Sequence, residues 1–177
     1  MDKNWGIVDL LSCSRHDWLN KIQLIKGNIE LGKMDRVKAV IDQIIMESKN
    51  ETKLSNCRMP KLAALLLTSN WRGFPFAVEY EVLAAIACTE LIDKHMCAWM
   101  EAFMMELSSS LNVFDENELK ILIDETGQSI RFTFELQGKI KVQEKLASYL
   151  DKSPELAALS VDTFTEEMLV FHLDWLK

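Results

Sequence analysis

The chemistry-bearing residues of this chain gather in one short run, Ser14-Arg15-His16-Asp17-Trp18-Leu19-Asn20. An imidazole presented to water can accept a phosphoryl group on a ring nitrogen. It then needs a neighbour that fixes its tautomer, and the carboxylate of Asp17 can polarise the ring or receive its proton. On a helix, Asn20 falls one turn beyond His16 on the same side, and Gln23 and Gly27 continue that line. Gly27 costs a helix about 1 kcal/mol relative to alanine and leaves room for a partner to approach. A histidine at this place also fits two plainer roles, core packing or a solvated position on a helix flank. Arg15 fits a stem laid on apolar surface with its head in water. Residue types alone leave these readings open.

The elements that carry the run narrow the choice. Residues 7–31 contain no proline, and Val8, Leu11, Trp18, Ile22, Ile25 and Ile29 recur in a 3-then-4 rhythm with Arg15 in the one polar slot. That spacing predicts a heptad seam on a helix of roughly 37 Å, with His16 on its flank. Gly32 marks a stop, and Asp35 is placed to cap a second helix reaching about residue 49 through Val37, Val40, Ile41, Ile44 and Ile45. Two long helices on so short a loop form an antiparallel hairpin, and two hairpins in a homodimeric four-helix bundle would cover the stripe that one leaves open. Residues 50–58 read as a polar helix end or linker, with Pro60 marking the next boundary, which sets domains at 1–58 and 59–177.

Beyond Pro60 the pattern changes to α+β. Residues 61–70 predict a short helix, 77–82 a strand with a continuation over 83–87, and 92–111 a helix rich in Met and Trp. Residues 130–136 predict a strand, 141–150 a helix and 168–175 a third strand. The run 155–159, with Asp162, Glu166 and Glu167, reads as a solvated acidic helix. The expected architecture is therefore α+β: an N-terminal hairpin that dimerises, and a C-terminal α/β sandwich.

Composition sets the outer limits. The 177 residues are 49% hydrophobic and 27% charged with a net charge of −7, so the surface does not suit nucleic acid. No stretch is apolar enough for a membrane span, and Met1-Asp2-Lys3-Asn4-Trp5 lacks the pattern of a signal peptide. Cys13, Cys57, Cys88 and Cys97 form no CxxC pair. A cytoplasmic protein with reduced thiols is expected.

The run 14–20, followed by Lys21-Ile22-Gln23-Leu24-Ile25-Lys26-Gly27-Asn28, closely resembles the phosphoacceptor helix of the sporulation initiation phosphotransferase B family of bacilli. Its His-Asp-x-x-Asn core is similar to the dimerisation helix of citrate-sensor-type histidine kinases. The likeness continues through Leu31-Gly32-Lys33-Met34-Asp35-Arg36-Val37, across Glu51-Thr52-Lys53-Leu54-Ser55-Asn56, and into Trp71 and Glu79-Tyr80-Glu81-Val82-Leu83. The resemblance implies a phosphorelay phosphotransferase working as a homodimer, with a C-terminal domain like a degenerate kinase ATPase domain. It would take a phosphoryl group from an aspartyl phosphate on a single-domain response regulator. It would pass the group to an aspartate of a DNA-binding regulator that controls sporulation. His16 is then the phosphorylated residue, with Asp17, Asn20 and Arg15 as supporting candidates. The Mg²⁺ that neutralises the moving charge is expected on the partner regulator. The hairpin sets residues near Lys49 and Asn50 across from His16, and these, with Leu19, Gln23 and Lys26, are the candidate docking surface.

An ATP-dependent kinase is not expected. Phosphate cradles rely on glycine-rich loops, whereas this chain has six glycines and only Gly127 and Gly138 after residue 73. Asn70 stands alone where kinases carry a run of polar residues near a metal. The spacing of Cys88, Glu90, His95 and Cys97 matches no tetrahedral zinc pattern, and the surrounding Met96, Met100, Met104 and Met105 read as core. Cys13 and His16 at i, i+3 lack any oxyanion or pocket signal. The chain is thus expected to hold no cofactor or metal of its own. The rival reading, from a different class, is a non-catalytic module that binds a regulator without carrying phosphate.

Overall fold

The computed structural model describes residues 6–152, 154 and 156–177; the N-terminal pentapeptide and Glu155 discussed above lie outside them. The chain divides into two compact units, one ending at Glu51 and the other running Thr52–Lys177.

The first unit is helical. Helix α1, Ile7–Glu30, begins where the Gly6 N–H donates to Asp9 Oδ2 (3.1 Å). It ends in a glycine stop: Gly32 takes φ +68°, its N–H donates to the Ile29 carbonyl, and that of Lys33 to the Asn28 carbonyl. That turn satisfies carbonyls the helix end would otherwise leave open. Helix α2, Met34–Asn56, starts one residue before Asp35, which lies in its first turn and not at the cap. The helices run antiparallel, tied by Lys21 Nζ to Glu47 Oε2 at 2.6 Å. Both partners are about one-third exposed, so the pair sets register more than it adds stability.

Of the two readings for residues 50–58, a helix end or a linker, the helix end holds as far as Asn56. Helix α2 continues to Asn56 because Leu54 and Cys57 are buried in the second unit, an anchorage that outweighs the polar residues around them.

The second unit is a mixed five-stranded sheet with helices on one face. Its elements are α3 (Pro60–Thr68), a 3₁₀ turn (Ser69–Trp71), β1 (Ala77–Val82), α4 (Glu90–Ser110), β2 (Glu118–Thr126), β3 (Ser129–Gln137), α5 (Gln143–Leu150), β4 (Ala157–Phe164) and β5 (Met168–Leu176). The strand order is β1-β2-β3-β5-β4, with β1 parallel to β2 and every other pair antiparallel. Helix α4 makes the long crossover that the parallel pair requires.

Alternation along the strands places the core. Leu119, Ile121 and Ile123 of β2, Phe132 and Phe134 of β3, and Phe171, Leu173 and Trp175 of β5 all point to the helical side. Phe134 and Phe171 stack at 4.4 Å, and the Phe103 ring of α4 meets both edge-on at 5.3 and 5.2 Å. The opposite face carries polar residues such as Lys120, Arg131, Glu135 and Asp174.

Four expectations change. Residues 83–87 do not extend β1; Ile86 turns into the core and the backbone is irregular. Strand β2 was not expected, although Leu119, Ile121 and Ile123 alternate with Lys120 and Asp124 and lead into the Gly127 turn at φ +64°. Within the acidic run residues 157–164 form β4 and not helix, an edge strand whose pairing to β5 outweighs the helix propensity of Ala157, Ala158 and Leu159. Of the four methionines expected in the core, Met96, Met100 and Met104 are buried, whereas Met105 is exposed because it falls on the outer side of α4.

Candidate functional site

His16 lies near the middle of α1, on a stripe separate from the side turned to α2 and from the exposed apolar side. At 100° per residue the half-buried Leu10, Ser14, Asp17, Lys21 and Asn28 share the side turned to α2. Leu11, Trp18, Ile22 and Ile29 form a second side that stays 49–59% exposed. His16, Asn20, Gln23 and Gly27 form the third. The apolar stripe expected of the helix is thus present as an exposed side, with Ile25 half-buried, and the histidine lies off it in water.

The imidazole is 73% exposed. Its Nδ1 lies 3.3 Å from Asp17 Oδ1 and 3.3 Å from Asn20 Nδ2. Among the described residues Nε2 makes no hydrogen bond. Helix spacing produces this geometry: Asp17 reaches back from the adjacent position, and Asn20 comes up from one turn away. An Asn20 amide that donates to Nδ1 requires a lone pair there, whereas a carboxylate only accepts, so the state in which Asp17 holds the ring has its proton on Nδ1 and the lone pair on Nε2. That is the arrangement of a nucleophilic ring nitrogen with its tautomer held from behind.

The other candidate residues spread along the hairpin. Arg15 is exposed on the seam side and makes no ion pair among the described residues. Leu19 is half exposed, Gln23 is exposed, and Lys26 reaches Glu30 at 3.7 Å. Because Lys21 faces Glu47, the register sets Lys49 level with Leu19 and Asn50 level with Trp18. They sit about 4 Å along the axis from the level of His16, toward the loop. At Gly27 a built Cβ meets nothing within 4 Å, so the surface there is open.

Asn70, weighed for nucleotide or metal chemistry, has structural partners. Asn70 is spent on β1: its Nδ2 donates to the Val78 carbonyl (2.9 Å) and its Oδ1 accepts from the Val78 N–H (2.8 Å). Neither pairing was foreseen from a helix-end asparagine; an isolated polar residue eight positions before a strand residue gave no signal. Gly127 and Gly138 both follow strand ends. His95 is exposed, while burial and the nearby Glu101 carboxylate push the Cys97 thiol up. The Cys88 thiol is likewise raised, first by burial and then by Asp93. Among the described residues no group of three or more His, Cys, Asp or Glu side chains is placed to hold a metal, and no helix is long and apolar enough to cross a membrane. A buried carboxylate missed in the sequence is Asp93, which accepts from the backbone N–H groups of Lys61 (2.9 Å) and Leu62 (3.0 Å) and so caps α3 from a different helix.

Two family models match consecutive parts of the chain. Residues 3–57 match the family model described as Sensor_kinase_SpoOB-type, alpha-helical domain. Residues 58–175 match Sporulation initiation phospho-transferase B, C-terminal. A curated relative, Sporulation initiation phosphotransferase B of Bacillus subtilis (strain 168), is 39% identical over 115 residues, which is 65% of this chain and 60% of that protein's length. Among solved structures, the blue-light activated histidine kinase EL346 of Erythrobacter litoralis aligns over 99% of this chain and 61% of its own, with a TM-score of 0.51 at 10% identity. That likeness is one of fold. The histidine kinase AdeS of Acinetobacter baumannii aligns over 91% and 97% respectively, with a TM-score of 0.43 at 11% identity. With both its helical part and its sheet domain matched, the chain belongs to the sporulation initiation phosphotransferase B family.

Proposed function

We propose that this chain is a phosphorelay phosphotransferase in which His16 accepts a phosphoryl group from an aspartyl-phosphate response regulator and passes it to an aspartate of a second regulator controlling sporulation. The observation that carries the reading is the geometry of one ring. His16 is 73% exposed, Nδ1 is held from behind, and Nε2 is turned to solvent. The 39% identical phosphotransferase relative supports the transferase class.

The chemistry asks little of the chain itself. The Nε2 lone pair attacks phosphorus, the P–O bond to the donor aspartate breaks, and its electron pair stays on that carboxylate. As the N–P bond forms, the Nδ1 proton passes to Asp17, leaving a neutral N-phosphorylated ring. The second transfer reverses these movements on another carboxylate. Positioning dominates such a step, since a well-placed nucleophile is worth several kcal/mol of barrier. The Mg²⁺ that offsets the charge belongs to the partner regulator. The docking surface in this reading is the open stripe of α1 that carries His16, Asn20 and Gln23, with Leu19, Lys26, Lys49 and Asn50 at its margins, while Arg15 stands on the seam side.

A homodimer completes the bundle. Helix α1 has no buried residue in the single chain, whereas helices in proteins draw most of their stability from packing an apolar face. The exposed side formed by Leu11, Trp18, Ile22 and Ile29 is the face a second copy would cover, and the His16 stripe stays outside it.

The test is incubation with a labelled, phosphorylated single-domain regulator. Acid-labile, base-stable label on the wild type and none on His16→Ala supports the relay. Binding of the regulator with no label on either protein would favour the non-catalytic module.

A further inference from the structure

Two side chains meet the same ring nitrogen and ask opposite things of it. Asp17 Oδ1, at 3.3 Å, can only accept, and so requires a proton on Nδ1. Asn20 Nδ2, also at 3.3 Å, can only donate, and so requires a lone pair there. One nitrogen cannot satisfy both at once. The unloaded ring, with its proton on Nδ1, suits Asp17. The loaded ring, phosphorylated on Nε2 with its Nδ1 proton passed to Asp17, carries a bare lone pair on Nδ1. Asn20 already stands within reach of it.

We propose that Asn20 is a positioning residue for the loaded carrier, donating its amide N–H to Nδ1 of phosphorylated His16 after Asp17 has taken the proton. The proposal rests on the relay role of His16. Its consequence follows from the chemistry of N–P bonds. When Nδ1 is protonated, the ring becomes a cation and a better leaving group, so the phosphoryl group is lost to water. A donor occupying the lone pair opposes that protonation and lengthens the carrier's life. The phosphoryl group then leaves when an acceptor aspartate attacks phosphorus: the N–P bond breaks with its pair on Nε2, and Nδ1 recovers its proton from Asp17.

The full chain is loaded chemically with phosphoramidate, which needs no partner protein, and decay of the phosphohistidine is followed by ³¹P NMR. Asn20→Ala is expected to shorten the lifetime about three- to tenfold, the range set by loss of one hydrogen bond. Asn20→Asp, which can only accept, is expected to shorten it further by drawing a proton onto Nδ1. Asn28→Ala, which removes an amide that donates to the Leu24 carbonyl on the side turned to α2, is expected to decay like wild type. In unloaded protein, ¹⁵N NMR should show the Asn20→Ala ring moving toward the Nδ1–H tautomer, a change a merely structural asparagine would not cause. Decay of Asn20→Ala at the wild-type rate, or a ring moving toward Nε2–H, would overturn the proposal. Those results are read apart from transfer by a regulator: failure of that transfer would remove the relay role, whereas failure here removes only the role of Asn20.

Discussion

Ile22→Asp should separate the two copies of the proposed bundle. Ile22 is 54% exposed in the single chain and lies on the side it shares with Leu11, Trp18 and Ile29. Burying a whole isoleucine side chain contributes about 1.5–3 kcal/mol, so covering the remaining half contributes about 1 kcal/mol. A symmetric dimer contains two such residues, and losing both weakens association by at least ~2 kcal/mol, roughly thirtyfold in Kd. The aspartate adds the cost of placing a carboxylate in an apolar seam. Ser12→Asp is the matched control, with the same charge on the exposed His16 side of the helix. Sedimentation equilibrium over a range of concentrations should show wild type and Ser12→Asp as dimers and Ile22→Asp shifted to monomer. A monomeric wild type, or an Ile22→Asp protein that associates as tightly as wild type, would refute the seam argument.

Gly138→Ala should destabilise the sheet domain by about 3 kcal/mol, because the new methyl lies 2.9 Å from Asn117 Cβ and Cγ, and Asn117 holds the carbonyls of Pro75, Asn112 and Asp115 and the N–H of Lys139; urea denaturation checks this. Gly27→Ala should raise helix stability by up to about 1 kcal/mol while slowing phosphoryl transfer from the regulator, since the site is open in the chain itself and would be crowded only by a docked partner. Tyr149, pushed up to about 12 by burial and then by Glu106, should ionise above the ordinary tyrosine range in an ultraviolet titration. Between pH 10 and 12 the unfolded chain releases this proton and the folded chain keeps it, so stability present below pH 10 should fall as pH rises through that window.

The site was more legible than the sheet. A long periodic helix states its faces directly, so the place of His16 on a flank could be read from Val8, Leu11, Trp18, Ile22 and Ile29. What spacing could not supply was the split demand on Nδ1 by Asp17 and Asn20, which depends on side-chain rotamers. The edges of the sheet were harder. Strand β4 is rich in residues that favour helix, and only its ladder with β5 holds it extended. Strand β2 carried a usable alternation, obscured by charges at helix-like spacing. The end of α2 was misjudged because Leu54 and Cys57 are isolated apolar residues among polar ones, and their burial is a tertiary fact. The partners of Asn70 and Asp93 are long-range hydrogen bonds, invisible to any local pattern.

The central claim is tested most directly by reconstituting both transfers. A labelled aspartyl-phosphate regulator, the second regulator and this chain are mixed without ATP, and label on each protein is followed in time. The account predicts label passing transiently onto wild-type chain and then onto the second regulator, with neither event when His16→Ala replaces it. Label reaching the second regulator equally fast through His16→Ala, or wild-type chain labelled by ATP alone, would contradict it.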